Sequence, residues 1–242
     1  MDTSDWVFIG CTLFLGACAL IVPYLAEVIK RRYFSPDIKI KFQLEPPFCH
    51  KITRDLFSRT QPQIDKSAYY FRFLVINEGK SRANNCEICL ENLWEYDASQ
   101  SPKLRQDFLP VNIGWHGYKS EEPFVNINPK RKMYGNIGHI SSKDYQERKE
   151  KEYFIDVRKD SDNGLRFMFD LLQIPFSQPN CLVAGRYIIQ IGFYSENAKP
   201  QKVYFDISWS GTWRNKPDEM FKEIVIKPTS KPEYKKVKVP HI

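Results

Sequence analysis

Four histidines, six cysteines and a scatter of aspartates are the residues of this chain best equipped for chemistry. Cys86-Glu87-Ile88-Cys89 has the Cys-x-x-Cys spacing of redox and zinc sites. Both chemistries need the two thiols on one side of the backbone. On a strand, positions three apart point to opposite faces, so Cys86 is expected to be buried and Cys89 half exposed. His50, His116, His139 and His241 show no metal-ligand spacing with one another. His116, in Gly-Trp-His-Gly-Tyr, and His139, in Asn-Ile-Gly-His-Ile, are expected at loops or strand ends as hydrogen-bonded polar residues. Cys49 and His50 are adjacent, but neighbouring side chains diverge and no acid is placed to orient the pair. Asp160-x-Asp162-x-Gly164 begins like a calcium loop and lacks its closing glutamate, and Asn163-Gly164 reads as a strand turn. There is no phosphate-cradling glycine loop, nucleophile elbow or HExxH. No catalytic residue, metal or cofactor is therefore expected. The residues offered for recognition are Trp115, His116 and Tyr118 in one loop, and Trp213 and Arg214 in another.

The elements that must carry these loops are strands. Ile38, Ile40, Phe42 and Leu44 alternate with Lys39, Lys41 and Gln43, and only a strand puts those sets on opposite faces. Similar rows are Tyr69-Phe71-Phe73-Val75, Cys86-Ile88-Leu90-Trp94, Tyr153-Ile155-Val157, Leu165-Phe167-Phe169-Leu171, Tyr187-Ile189-Ile191-Phe193 and Val203-Phe205-Ile207-Trp209. Fainter rows lie at 109–115, 123–128 and 222–227. Residues 46–66 and 141–151 read as long polar connections. About seven to nine strands separated by Gly, Pro, Asn and Ser turns predict an all-β, antiparallel β-sandwich, with a barrel as the alternative.

Ahead of the strands, residues 6–29 form an apolar stretch with one charge, Glu27. As a helix it would span about 36 Å, enough for a bilayer core. A signal peptide has basic residues before its apolar run, whereas here Lys30, Arg31 and Arg32 follow it. The expected division is a flank at 1–5, a transmembrane helix at 6–29, a basic juxtamembrane linker at 30–35, the β-domain at 36–227 and a flexible basic tail at 228–242. The positive-inside rule predicts a single-pass membrane protein with its N-terminus outside and its β-domain cytoplasmic. Asp2, Asp5 and Glu27 balance the three basic residues of the flank, so the net charge of +7 belongs to the β-domain and tail. That balance reads as a solvated basic surface rather than specific nucleic-acid binding, and the lysine-rich tail either as a weak contact with anionic lipid or as a solvated solubility tail.

Two blocks resemble a known class. Phe71-Arg-Phe-Leu-Val-Ile-Asn77-Glu-Gly79-Lys-Ser-Arg-Ala83-Asn-Asn-Cys86 resembles the strand-turn-strand of prokaryotic Ig-like sandwich domains, including the bacterial cell-adhesion-related type. Ala184–Trp213 resembles their late Gly-x-Tyr hairpin. The element order also looks like that of membrane-anchored, single-domain prokaryotic proteins of unknown function. The resemblance implies an Ig-like β-sandwich over roughly 36–226. Asn77 and Gly79 are expected to make a turn that needs side-chain hydrogen bonds and permissive backbone angles. The functional expectation is a non-catalytic module binding an unknown protein or small-molecule partner at the cytoplasmic face, tethered to the bilayer by residues 6–29. The alternatives are a membrane-tethered hydrolase with a dispersed site, which convergent histidines would favour, and a ligand-sensing effector, which a basic, aromatic-lined site would favour.

Overall fold

The structure, a computed structural model, describes residues 3–53, 67–117, 122–147, 164–173 and 178–232. Helix α1 (Thr3–Tyr33) opens the chain. Its segment Thr12–Ile29, with mean hydropathy 2.0 and nothing packed over it, is long and apolar enough to cross a membrane, a property that signal sequences share. The helix runs four residues past the expected end of the apolar segment, because Lys and Arg are good helix formers. It stops before Ser35-Pro36, where proline disfavours helical backbone in the residue ahead of it.

The remainder is mostly β. Strands β1 (Ile38–Lys41), β2 (Cys49–Ile52), β3 (Ala68–Asn77), β4 (Ala83–Tyr96), β5 (Pro102–Leu104) and β6 (Val111–Asn112) come first. Then follow β7 (Val125–Ile127), β8 (Lys132–Ser141), β9 (Phe167–Phe169), β10 (Cys181–Leu182), β11 (Gly185–Tyr194), β12 (Gln201–Trp209) and β13 (Ile224–Thr229). Short helices α2 (Lys143–Tyr145) and α3 (Pro217–Glu223) precede β9 and β13. One sheet has the order β1-β3-β8-β9-β10, with β2 also on β3; the other has the order β13-β12-β11-β4-β5, with β6 and β7 on β4. Every strand pair is antiparallel.

The predicted rows supply the core. Phe71, Phe73 and Val75 of β3 are buried, as are Ile189, Ile191 and Phe193 of β11 and Phe205 and Ile207 of β12. Residues of both sheets form one hydrophobic cluster, and Phe205 of the second sheet meets Phe73 of the first and Phe42, just after β1, with centroids 6.3 and 5.2 Å away. The row through β4 changes face partway. A bulge opposite Gln190/Ile191 puts Leu93 in the core cluster and turns Trp94 to the other face, against Tyr204. The row Tyr153-Ile155-Val157 lies outside the described residues.

Strand β8 is the largest departure from expectation. Its ten residues, Lys-Met-Tyr-Gly-Asn-Ile-Gly-His-Ile-Ser, show no clear alternation, yet it is the partner of β3 in the centre of its sheet. Its glycines stand where neighbouring rings fill the space. A Cβ on Gly135 would lie 2.4 Å from Phe73 Cζ, and one on Gly138 would lie 2.1 Å from the Met168 carbonyl. The polar stretch 46–66 also holds a strand, β2, which continues along the edge of β3 that β1 begins. Gln146, in the predicted connection 141–151, is buried, its amide exchanging bonds with the Arg166 backbone at 2.7 and 2.9 Å.

The turn after β3 has the side-chain hydrogen bonds expected of it, whereas Gly79 does not adopt the left-handed backbone expected there. Asn77, fully buried, accepts from the N–H of Asp37 and Gly79 and donates to the carbonyls of Ser81 and Ile127. Gly79 is required there by close approach: a Cβ would lie 2.4 Å from Asp37 N and 2.5 Å from Ser35 O.

Candidate functional site

Along β3 the odd-numbered side chains face the core, which leaves Tyr70 and Arg72 on the outer face of their sheet. Register brings other chemistry-bearing residues beside them. His50 of β2 lies opposite Tyr70, and His139 of β8 lies opposite Tyr70 on its other side. Arg72 lies opposite Asn136. The shift between Phe71 and Arg72 takes up Ile137 as one extra residue of β8, which keeps Asn136 and His139 on one face.

The fourth strip of backbone comes from the loop that follows β6. Ile113 bonds back to Ile88 of the second sheet, then Gly114 N donates to Asp170 O and Asn136 N donates to Gly114 O. Trp115 bridges to Gly135, and His116 N donates to Tyr134 O. This segment therefore crosses from one sheet to the other and delivers His116 beside Tyr134 on the outer face.

Arg72 is the centre of the resulting cluster. It is only 7% exposed, in a position where its charge has lost most of its water. Its Nη2 sits 2.6 Å from Nδ1 and 2.8 Å from Nε2 of His50 and 3.4 Å from the Pro47 carbonyl. The guanidinium lies over the Tyr134 ring at 5.5 Å. Its Nε has no partner, and neither has Asn136 Oδ1. No carboxylate among the described residues forms an ion pair with it; Asp170, near enough to act through its field, is engaged elsewhere. Burial pushes the Arg72 pKa down from its ordinary value, against the opposing pull of the nearby Tyr, Cys and Asp groups.

The histidines divide into two kinds. His50 and His116 are both pushed toward the neutral form, first by burial and then by the Arg72 charge. A neutral His50 is what an arginine donating to its ring nitrogen requires. His139 instead has a carboxylate: its Nδ1 is 2.5 Å from Asp170 Oδ1. Its ring stacks on Tyr70, with centroids 5.2 Å apart and planes 27° from parallel. The face thus combines an unpaired guanidinium, neutral imidazoles, an amide and a histidine–carboxylate dyad, framed by two tyrosines. Such a set offers several N–H donors and a positive centre to an anion.

The residues singled out by sequence are scattered by the fold. His116 belongs to the cluster. Trp115 is turned inward, 2% exposed, with its indole N–H donated to the Pro123 carbonyl. It is a core residue and offers no binding surface. Tyr118 lies outside the described residues, as do His241 and the side chains of Lys30, Arg31 and Arg32. Trp213 packs on Tyr69, 5.1 Å between centroids, and Arg214 pairs with Glu223 at 2.7 Å. Together they dock the loop after β12. The partners of the two loops, Phe73's neighbour Gly135 and Tyr69, are about 13 Å apart along the sheet, so the loops do not form one face. Sequence reasoning missed His50, Arg72, Tyr134, Asn136, His139 and Asp170 as one group.

Cys86 is buried and Cys89 half-buried, as strand geometry predicted, and both are free thiols. Burial and the charges of Glu91 and Glu87 push Cys89 up to about 11, which leaves it little thiolate at neutral pH. Among the described residues no group of three His, Cys, Asp or Glu side chains is placed to hold a metal ion. An open cleft of about 490 Å³, lined by Asn85, Glu87, Phe124, Tyr194, Ser195 and Glu196, lies on the other sheet. Its polar groups are bonded to protein: Asn85 to Glu196, Glu87 to Asn112, Ser195 to the Asn84 carbonyl and Tyr194 to Glu91. Compared with known protein families, curated proteins and solved structures, the chain matches none, so the resemblance to adhesion-type domains gains no support from them.

Proposed function

We propose that the chain is a single-pass membrane protein whose cytoplasmic β-domain recognises an anionic group, a phosphate or carboxylate, on the outer face of the first sheet. The observation that carries this reading is Arg72, a nearly buried cation with no carboxylate partner among the described residues and an Nε unpartnered among them. Burying a charge is costly unless it is paired, and an incoming anion supplies the missing partner. Tyr70 and Arg72 lie seven and five residues along β3 from Asn77, the anchor-proximal end. That is roughly 17–23 Å of strand, which leaves the site clear of the bilayer.

The orientation rests on Lys30, Arg31 and Arg32 directly after the apolar segment. The finer fold assignment is an Ig-like sandwich. In its favour, β1-β3-β8 and β4-β11-β12 pair in the manner of strands A-B-E and C-F-G of that fold. Thermal melting of the full chain in detergent with inorganic phosphate, a nucleoside monophosphate and malonate tests the reading. Melting should rise with phosphate-bearing or carboxylate probes and be indifferent to chloride at equal ionic strength. A melting temperature unmoved by all three refutes it.

The dyad of His139 and Asp170 favours a second reading, a hydrolase, because a carboxylate on Nδ1 is how an imidazole is oriented as a general base. Hydrolysis of a phosphodiester such as bis(p-nitrophenyl) phosphate, lost in Asp170→Asn, would establish it. Tight phosphate binding without turnover leaves the recognition module.

A further inference from the structure

We infer that the end of the β-domain nearest the helix, formed by the turns 78–82 and 128–132, docks on the headgroups of an anionic leaflet. The inference rests on the reading of α1 as a membrane span, and two observations carry it: a junction without slack and the charge it holds against the bilayer.

The junction is short and clamped. Helix α1 ends at Tyr33, and Pro36 is already buried. Asp37 N donates to Asn77 Oδ1 at 3.2 Å, and Glu78 N donates to Asp37 O at 2.7 Å. Gly79 lies so close to Ser35 that a Cβ would stand 2.5 Å from its carbonyl oxygen. The turn 78–82 therefore sits against the chain two residues beyond the helix. From Ile29 to Tyr33 the helix adds about 6 Å, and two extended residues add at most about 7 Å. With Thr12–Ile29 in the hydrocarbon, the turn lies within about 13 Å of its edge. The headgroup layer is roughly 5–7 Å thick on each side, and charges are felt over about 10 Å at 0.1 M salt.

That end is basic. Glu-Gly-Lys-Ser-Arg at 78–82 and Asn-Pro-Lys-Arg-Lys at 128–132 hold five basic residues and one acidic residue. The two turns are fastened together: Lys130 N donates to Asn77 O, Asn77 N to Arg131 O, and Lys130 Nζ to Glu78 O. Lys80, Arg82 and Lys132 are exposed and make no ion pair among the described residues. The neighbouring carboxylates are engaged: Asp37 with Lys39, Glu78 with Lys41 and Glu196 with Asn85. Strand β13 ends toward the same end, Thr229 lying opposite Tyr204 near the start of β12.

The test uses the full chain in nanodiscs of phosphatidylcholine alone or mixed with phosphatidylserine, followed by amide hydrogen exchange. Exchange in 78–82 and 128–132 should slow in the anionic discs and recover at high salt. Each basic residue near an anionic surface is worth about fivefold in affinity. The triple variant Lys80→Gln, Arg82→Gln, Lys132→Gln should weaken docking on the order of 100-fold and remove the lipid-dependent protection. A chain that alkaline carbonate strips from membranes sinks the membrane-span reading itself. A chain that stays inserted but exchanges equally in both discs sinks the docking alone. Protection of these turns by single-stranded RNA, with none from phosphatidylserine, overturns the choice of lipid as partner.

Discussion

Replacing Arg72 by Met should make the protein more stable while removing its anion response. Arg72 gains a charged hydrogen bond to His50, of about 1.5–3 kcal/mol, and a contact with the Tyr134 ring of up to about 2 kcal/mol. Against these stands the loss of hydration of a guanidinium that is 7% exposed, several kcal/mol even after relaxation. Its Nε, left without a partner, adds to that cost. Methionine fills nearly the same length, sits on the Tyr134 ring through its sulfur and needs no partner. His50 is half-exposed, so water can take the place of the lost donor.

The balance favours the variant by about 2 kcal/mol, in line with other replacements of buried ionic groups by apolar ones. For a domain of this size that is a rise in melting temperature of roughly 4–8 °C. Thermal unfolding of both full-length proteins in the same detergent, followed by tryptophan fluorescence with and without phosphate, measures it. The wild type should respond to phosphate and the variant should not. A variant less stable than wild type by 2 kcal/mol or more would show that Arg72 holds the fold together, and the reasoning would fail.

Asn77→Ala removes two accepted and two donated hydrogen bonds from a fully buried side chain, so urea unfolding should show a loss of about 4 kcal/mol. Gly138→Ala drives a Cβ to 2.1 Å from the Met168 carbonyl and 2.6 Å from the Phe167 ring, so β8 and β9 must part. It should cost about 3 kcal/mol in the same assay, with faster hydrogen exchange in β9. The folded protein holds the pKa values of His50 and His116 below their unfolded value near 6.5. Between the folded and unfolded values the unfolded chain binds more protons, so stability falls as pH drops below about 6.5. The double variant His50→Gln, His116→Gln should flatten that slope in melting curves taken from pH 7 to pH 5.

Alternation was readable wherever inward side chains came from the strand itself, as in Tyr69–Val75, Tyr187–Phe193 and Val203–Trp209. It was unreadable in β8, because there the inward space is filled from outside. Phe73 occupies the room above Gly135, and Phe167 the room above Gly138. A strand with glycines at inward positions looks like a loop or a strand end, and nothing in its pattern marks His139 and Asn136 as mid-strand neighbours of β3. His50 was hidden for a related reason, since the short β2 lies in a proline-rich polar stretch and owes its existence to the free edge of β3.

The cluster itself lay beyond any spacing rule. Its members come from β2, β3, the crossing segment 113–116, β8 and the end of β9, and only the register places them side by side. One signal was nonetheless available. Ala-Tyr-Tyr-Phe-Arg-Phe-Leu-Val-Ile-Asn is an almost unbroken apolar run, the pattern of a strand covered on both faces. Leu74 and Ile76, outward by position, are indeed buried at 7% and 8% exposure. An arginine inside such a run must be buried too, and the chain places no acid opposite it: its cross-strand neighbour is Asn136. Folding alone gives no reason for a cation at that point, since leucine or methionine would pack there without loss of hydration. A group that burdens the fold and is left short of partners is best accounted for by what it waits to bind, which is why Arg72, rather than the packed tryptophans Trp115 and Trp213, carries the functional reading.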